Sequence, residues 1–87
     1  MKNTPDAWAK RAKSEGYRSR ASYKLLEIDK KHNLISKSSL IFELGSSPGG
    51  WSQVISNNKK SDCECIAIDI LDMKEVEGID FYKLDLY

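Results

Sequence analysis

Apolar positions along the chain follow two spacings. Trp8 and Ala12, and then Ala21, Leu25 and Ile28, recur at intervals of three or four residues, the spacing of one helical stripe. Thr4-Pro5 reads as an N-cap followed by a first-turn proline, so a first helix opens there and stops near Gly16. A second, longer helix begins at Arg18-Ser19-Arg20 and reaches about Lys31, with Ala21, Leu25 and Ile28 as its buried stripe. After the polar link Ser36 to Ser39 the spacing changes. Leu40-Ile41-Phe42-Glu43-Leu44 is a short apolar run, which predicts a strand covered on both faces. A tight loop from Gly45 to Gly50 follows, then a short helix from about Trp51 to Ser56 that ends at Asn57-Asn58. Glu64 to Asp69 predicts a second strand, and Phe81 to Leu84 a third beyond a polar stretch holding Gly78.

Strand, glycine loop, helix and strand in that order predict a right-handed parallel β-α-β unit. The expected fold class is α/β, the nucleotide-binding half of a doubly wound sheet. Residues 1–87 then form one partial domain, with a basic helical segment at 1–35 and a cofactor-binding β-α-β half at 36–87.

Charge sharpens this division. The formal net charge of +1 hides nine Lys or Arg against four acids in residues 1–31, and five against nine in residues 32–87. A basic arm on an acidic body suggests a polyanionic partner at the amino-terminal end, although a solvated helical face has the same composition. Cys63 and Cys65 are two residues apart, so on a strand both point to one face. That spacing suits neither a zinc knuckle nor a disulfide ladder, and buried thiols are expected, with no metal. No apolar run approaches the roughly 18 residues of a membrane span, and the amino terminus lacks the apolar core of a secretory signal. A soluble, cytoplasmic protein is expected.

The candidate chemistry centres on Glu43-Leu44-Gly45-Ser46-Ser47-Pro48-Gly49-Gly50-Trp51. Gly45 lets the chain leave the strand sharply, and Gly49 and Gly50 let a ligand approach the backbone without a Cβ in the way. The loop lacks the Gly-Lys-Ser/Thr ending that grips a triphosphate, and the Gly-x-Gly-x-x-Gly spacing of a dinucleotide site. Asp69, at the end of the second strand, can accept hydrogen bonds from the ribose hydroxyls of an adenosyl ligand. Asp85, at the end of the third, can accept from an adenine amino group. Each alone reads equally as a surface acid; on successive strand ends they favour a shared ligand.

Residues 45–53, Gly-Ser-Ser-Pro-Gly-Gly-Trp-Ser-Gln, resemble the cofactor loop of the FtsJ-type RNA ribose methyltransferases. Gly16 to Ile28 resembles the family's Arg-Ser-Arg-Ala…Lys-Leu segment, and 67–71 and 78–81 resemble the segments that follow. The resemblance implies a Rossmann-like class I S-adenosylmethionine-dependent methyltransferase fold, of which this chain is the amino-terminal half. It implies that Gly49, Trp51, Asp69 and Asp85 hold S-adenosylmethionine. It also implies ribosomal RNA or the large ribosomal subunit as partner, with a methyl group moved to a ribose 2′-hydroxyl, in a uridine as similar proteins do. Glu43 stands where the family has aspartate, which keeps the charge on a longer side chain. Lys24 matches the first lysine of the family's Lys-Asp-Lys-Glu catalytic set, although by spacing alone it reads as a surface lysine paired with Glu27. Arg18, Arg20 and Lys24 would then belong to the surface that holds RNA phosphates. The other three catalytic groups have no counterpart in residues 1–87. A truncated chain is therefore expected, with a catalytically incomplete cofactor- or RNA-binding remnant as the alternative.

Overall fold

The computed structural model describes residues 5–85, and side chains from residue 7; the expected cap at Thr4 lies outside the described residues. Three helices and three strands follow in the order α1 (Pro5–Ser14), α2 (Ala21–His32), β1 (Leu40–Leu44), α3 (Gly50–Asn58), β2 (Glu64–Asp69) and β3 (Asp80–Lys83). The sheet is parallel throughout and ordered β1-β2-β3. Ile41 stands opposite Cys65, and Ala67 lies between Glu43 and Phe81, so these residues share one face.

That face carries the core. Cys65 and Ala67 pack with Leu25 of α2 and with Val54 and Ile55 of α3, joined by Ile35, Cys63, Val76 and Ile79. The sulfurs of Cys63 and Cys65 lie 3.7 Å apart, and both thiols are free and buried. The alternate positions of β1 lie outside this core. Leu40, Phe42 and Leu44 are half exposed or more, with Phe42 at 59% and Leu44 at 67%. The expectation of a strand covered on both faces is therefore corrected: the described chain covers one face of β1.

The buried stripe of α2 is also shifted from the one expected. Its buried residues are Ser22 and Leu25, whereas Ala21 is exposed and Ile28 only partly covered. The cause lies on α3. A Cβ at Gly50 would stand 2.7 Å from both Ser19 Oγ and Ser22 Oγ, so the two helices meet where neither can carry bulk. Helix α2 starts at Ala21 rather than Arg18, because Ser19 Oγ accepts the Ala21 amide and a preceding turn carries the chain. It ends at His32, where Asn33 takes the left-handed conformation and its amide reaches Asp29 O.

Between β2 and β3 the connection 70–79 has no helix. Side chains from elsewhere hold it. Ser47 Oγ donates to Asp72 O, Ser56 Oγ to Glu77 O, and the Arg18 guanidinium to Lys74 O and Glu75 O at 2.5 and 2.6 Å. Val76 and Ile79 then enter the core.

Candidate functional site

The glycine loop leaves the carboxyl end of β1 at Gly45, whose φ of +75° only glycine adopts without strain. The amides of Gly45 and Ser46 both reach Ile68 O on β2, so the loop begins as a continuation of the sheet. Ser47-Pro48 is a cis peptide bond. The Ser47 amide donates to Asp69 Oδ2 at 2.7 Å, and the Leu71 amide to Asp69 Oδ1 at 2.9 Å. These amides, Leu71 first and then Ser47, hold the Asp69 carboxyl below the usual carboxylate range. Asp69 thus fixes the loop and the start of the β2–β3 connection together.

Beneath the loop, Glu43 is half-buried and accepts a hydrogen bond from Ser52 Oγ of α3. Burial raises its pKa, the Ser52 bond opposes that, and the charge of Asp69 adds to the rise. Ser46 Oγ is buried and has no hydrogen-bond partner among the described residues. A cavity of about 560 Å³ is lined by Glu43, Ser46, Ser47, Pro48, Gly50 and Trp51, with Ala21, Leu25, Ile41 and Phe42 on its apolar wall. Its size is that of a small-molecule site, and Ser46 supplies an unsatisfied polar group in the wall.

The sequence-derived site residues fall in different places around this loop. Trp51 lines the cavity, and its indole N–H donates to Ala21 O at 2.7 Å, so the ring is fixed between α3 and α2. Gly49, at φ +115°, faces protein rather than open space. A Cβ there would meet Arg18 Nη1 at 2.7 Å and Met73 Sδ at 3.3 Å. A Cβ at Gly50 would likewise meet Ser19 and Ser22, so both glycines admit neighbouring side chains, while Gly50 also lines the cavity. Asp69 and Asp85 lie outside the cavity lining, near the ends of adjacent strands. Asp85 is exposed two residues past β3, and the amide of Leu84 beside it bonds Asp69 O.

Lys24 is exposed and 3.8 Å from Glu27, the i,i+3 pairing that spacing allowed. An exposed pair of this kind contributes only about 0.3–0.5 kcal/mol, too little to hold Lys24 away from another partner. Arg20 is exposed beside it, and α2 ends in Lys30, Lys31 and His32. Arg18 differs from these. Its guanidinium donates to three carbonyls, those of Pro48, Lys74 and Glu75, and its amide donates to Gln53 Oε1. It is a brace between loop and crossover, not one of the free cations of the basic surface. Sequence reasoning missed this because an arginine two residues past a glycine carries no sign of which carbonyls it meets.

Among the described residues no group of three or more His, Cys, Asp or Glu could hold a metal ion, and no helix is long and apolar enough to cross a membrane.

A family model described as FtsJ-like methyltransferase matches residues 17–87. A protein of Neorickettsia sennetsu named ribosomal RNA large subunit methyltransferase E is 53% identical over 81 residues, covering 93% of this chain and 38% of that protein. A protein of the same name from Picrophilus torridus is 47% identical over 85 residues, covering 98% and 43%. The crystal structure of a protein described as a ribosomal RNA methyltransferase from Plasmodium falciparum aligns with a TM-score of 0.69 at 37% identity, over 80% of this chain and 39% of that one. The chain spans about two-fifths of the length of these relatives.

Proposed function

The chain belongs to the FtsJ-like methyltransferase family, and we propose that it forms the S-adenosylmethionine-binding part of a cytoplasmic enzyme that methylates a ribose 2′-hydroxyl in large-subunit ribosomal RNA. One arrangement carries the reading: a glycine loop at the carboxyl end of β1, tied by its Ser47 amide to Asp69 at the carboxyl end of β2. In open parallel sheets, ligands bind outside the carboxyl ends of the strands, where the strand order changes direction. The residues present fit the cofactor. The buried hydroxyl of Ser46 has a bond to offer at the cavity wall. Each Asp69 oxygen accepts one amide and keeps acceptor capacity for a ribose hydroxyl. Asp85 follows two residues past the neighbouring strand β3, and Trp51 is an apolar wall held in place by its own hydrogen bond. When bound, S-adenosylmethionine supplies an electrophilic methyl group.

The chain's own contribution is to bind and orient. Trp51 and the apolar wall give the cavity one apolar side against which a ligand can be oriented, and the basic surface of α2 attracts the RNA backbone. Lys24, by its match to the family set, stands ready to donate hydrogen bonds to the acceptor nucleotide. The names of the relatives support ribosomal RNA as the substrate.

Calorimetry with S-adenosylmethionine, and with a nicotinamide dinucleotide as comparator, tests the reading. Binding of the first and not the second is expected. Ser46→Ala removes the orphan hydroxyl and nothing that holds the loop, so it should weaken binding without lowering the thermal midpoint. Absence of binding by the parent chain would overturn the assignment.

A further inference from the structure

A second recess, about 460 Å³ in volume, lies between α1 and α2 and is lined by Trp8, Arg20, Ala21, Tyr23, Lys24 and Glu27. We infer that it holds a nucleobase of single-stranded RNA stacked on Trp8, with phosphates of the same strand on Arg20 and Lys24. The inference rests on the RNA reading above and names the residues that would recognise the strand.

Trp8 is 40% exposed, although it is the largest kind of apolar side chain and sits beside Tyr23. It is nonetheless held firmly. Its ring lies 5.7 Å from that of Tyr23, which packs edge-on against Tyr17 at 5.6 Å. The Arg11 guanidinium stands 5.5 Å from the Trp8 ring and 5.1 Å from the Tyr23 ring. Glu15 fixes the set by pairing with Arg11 at 3.3 Å and accepting the Tyr23 hydroxyl. Arg11, Glu15 and Tyr17 do not line the recess, whereas Trp8 and Tyr23 both do, so the supported rings contribute to its wall. An aromatic platform that is already ordered loses little freedom on stacking.

Charge and position choose the occupant. Two cations at the rim of an aromatic surface match a base and its flanking phosphates, the pairing that single-strand binding proteins use. A duplex keeps its bases stacked inside and offers none to Trp8. Glu27 disfavours phosphate at its own side of the rim and can accept a hydrogen bond from an exocyclic amino group, which orients the strand. Ala21 lines both this recess and the larger cavity, so the two are neighbours across the start of α2. A strand whose acceptor ribose lies at the larger cavity would bring an adjacent nucleotide to Trp8.

The test is fluorescence anisotropy of the 87-residue chain with a short labelled single-stranded RNA, over a series of salt concentrations. Trp8→Ala should bind about 5- to 150-fold more weakly with an unchanged salt slope, and Trp8→Phe should recover most of the loss. Arg20→Gln should reduce the salt slope by about 0.7, the loss of one phosphate contact on a single strand. Abasic substitutions walked along the RNA should reproduce the Trp8→Ala loss at one position, a readout independent of whether that variant folds. RNA binding that is indifferent both to Trp8→Ala and to every abasic position would overturn the stacking site while leaving the RNA reading intact. No RNA binding by the parent chain would remove both.

Discussion

The guanidinium of Arg18 occupies the space that a side chain at residue 49 would need, with Nη1 2.7 Å from the position of a Cβ on Gly49. It is anchored there by the carbonyls of Pro48, Lys74 and Glu75, so it cannot step aside without giving up hydrogen bonds. Loop and crossover are thereby joined through one side chain.

Gly49→Ala should destabilise the chain by roughly 2–4 kcal/mol, from strain at positive φ together with overpacking against Arg18. Arg18→Ala alone should cost about 0.5–1.5 kcal/mol, since the exposed carbonyls it releases can turn to water. In the Arg18→Ala background the Gly49→Ala cost should fall toward the backbone strain alone, about 1–3 kcal/mol. Urea titrations of the four proteins of this cycle give the coupling, and strict additivity would show that the two residues do not compete for space.

The pH dependence of stability should carry two opposed contributions. Asp69 has a lowered pKa, so its stabilisation is present above the ordinary value of 3.8 and is lost as pH falls through its folded value. Glu43 has a raised pKa, chiefly from burial, so its contribution is present below the ordinary value of 4.5 and is lost as pH rises through its folded value. Glu43→Gln should therefore flatten the decline on the higher-pH side and stabilise the chain near neutrality, since an amide oxygen can still accept from Ser52. Asp69→Asn should do the reverse, lowering stability near neutrality and removing part of the acid-side loss. Urea midpoints across about pH 3 to 8 distinguish the two.

S-adenosylmethionine should bind the 87-residue chain, and Asp69→Ala should bind it more weakly, because that change removes the proposed ribose acceptor and frees the Ser47 amide. Methyl transfer to undermethylated large ribosomal subunits is not expected from these residues alone, since Lys24 is their single match to the family's catalytic set. Labelled-cofactor transfer measures this directly. Turnover that vanishes in Lys24→Ala would show that the catalytic set is differently composed.

The open face of β1 should make the chain associate with itself. Leu40, Phe42 and Leu44 project from a strand paired on one side among the described residues. An apolar strand with a free edge is a template for another chain. Sedimentation should show concentration-dependent assembly, weakened in Phe42→Lys. A monomer at all concentrations would mean that this face is closed in solution.

Much of this arrangement was legible in the sequence. Leu40 to Leu44 and Glu64 to Asp69 stand out as apolar runs, and their parallel pairing follows from the helix between them. The loop was legible through Gly45, whose turn no other residue makes cheaply. Other features depend on contacts across long separations and leave no local pattern. Ser22 is buried because Gly50 has no side chain, and hydropathy cannot mark a serine for the core. Arg18 reads as one more cation of the basic arm until the carbonyls of residues 48, 74 and 75 are placed around it. Asp69 reads as a ligand acceptor, and the two backbone amides it also holds become visible only once the loop is folded back over β2.

The neighbouring thiols give the chain a chemical clock. Burial, and next the adjacent Cys63 thiol, push Cys65 up to about 11, and a thiol reacts with alkylating reagents only as its thiolate. At neutral pH a reagent therefore meets a sulfur that is both hidden and protonated until the sheet parts. The rate of alkylation, followed by mass spectrometry under native conditions, then reports the fraction of time the core stands open. A ligand that binds only the closed form lowers that fraction in proportion to its occupancy, so the same two sulfurs can register cofactor capture without any methyl group being transferred.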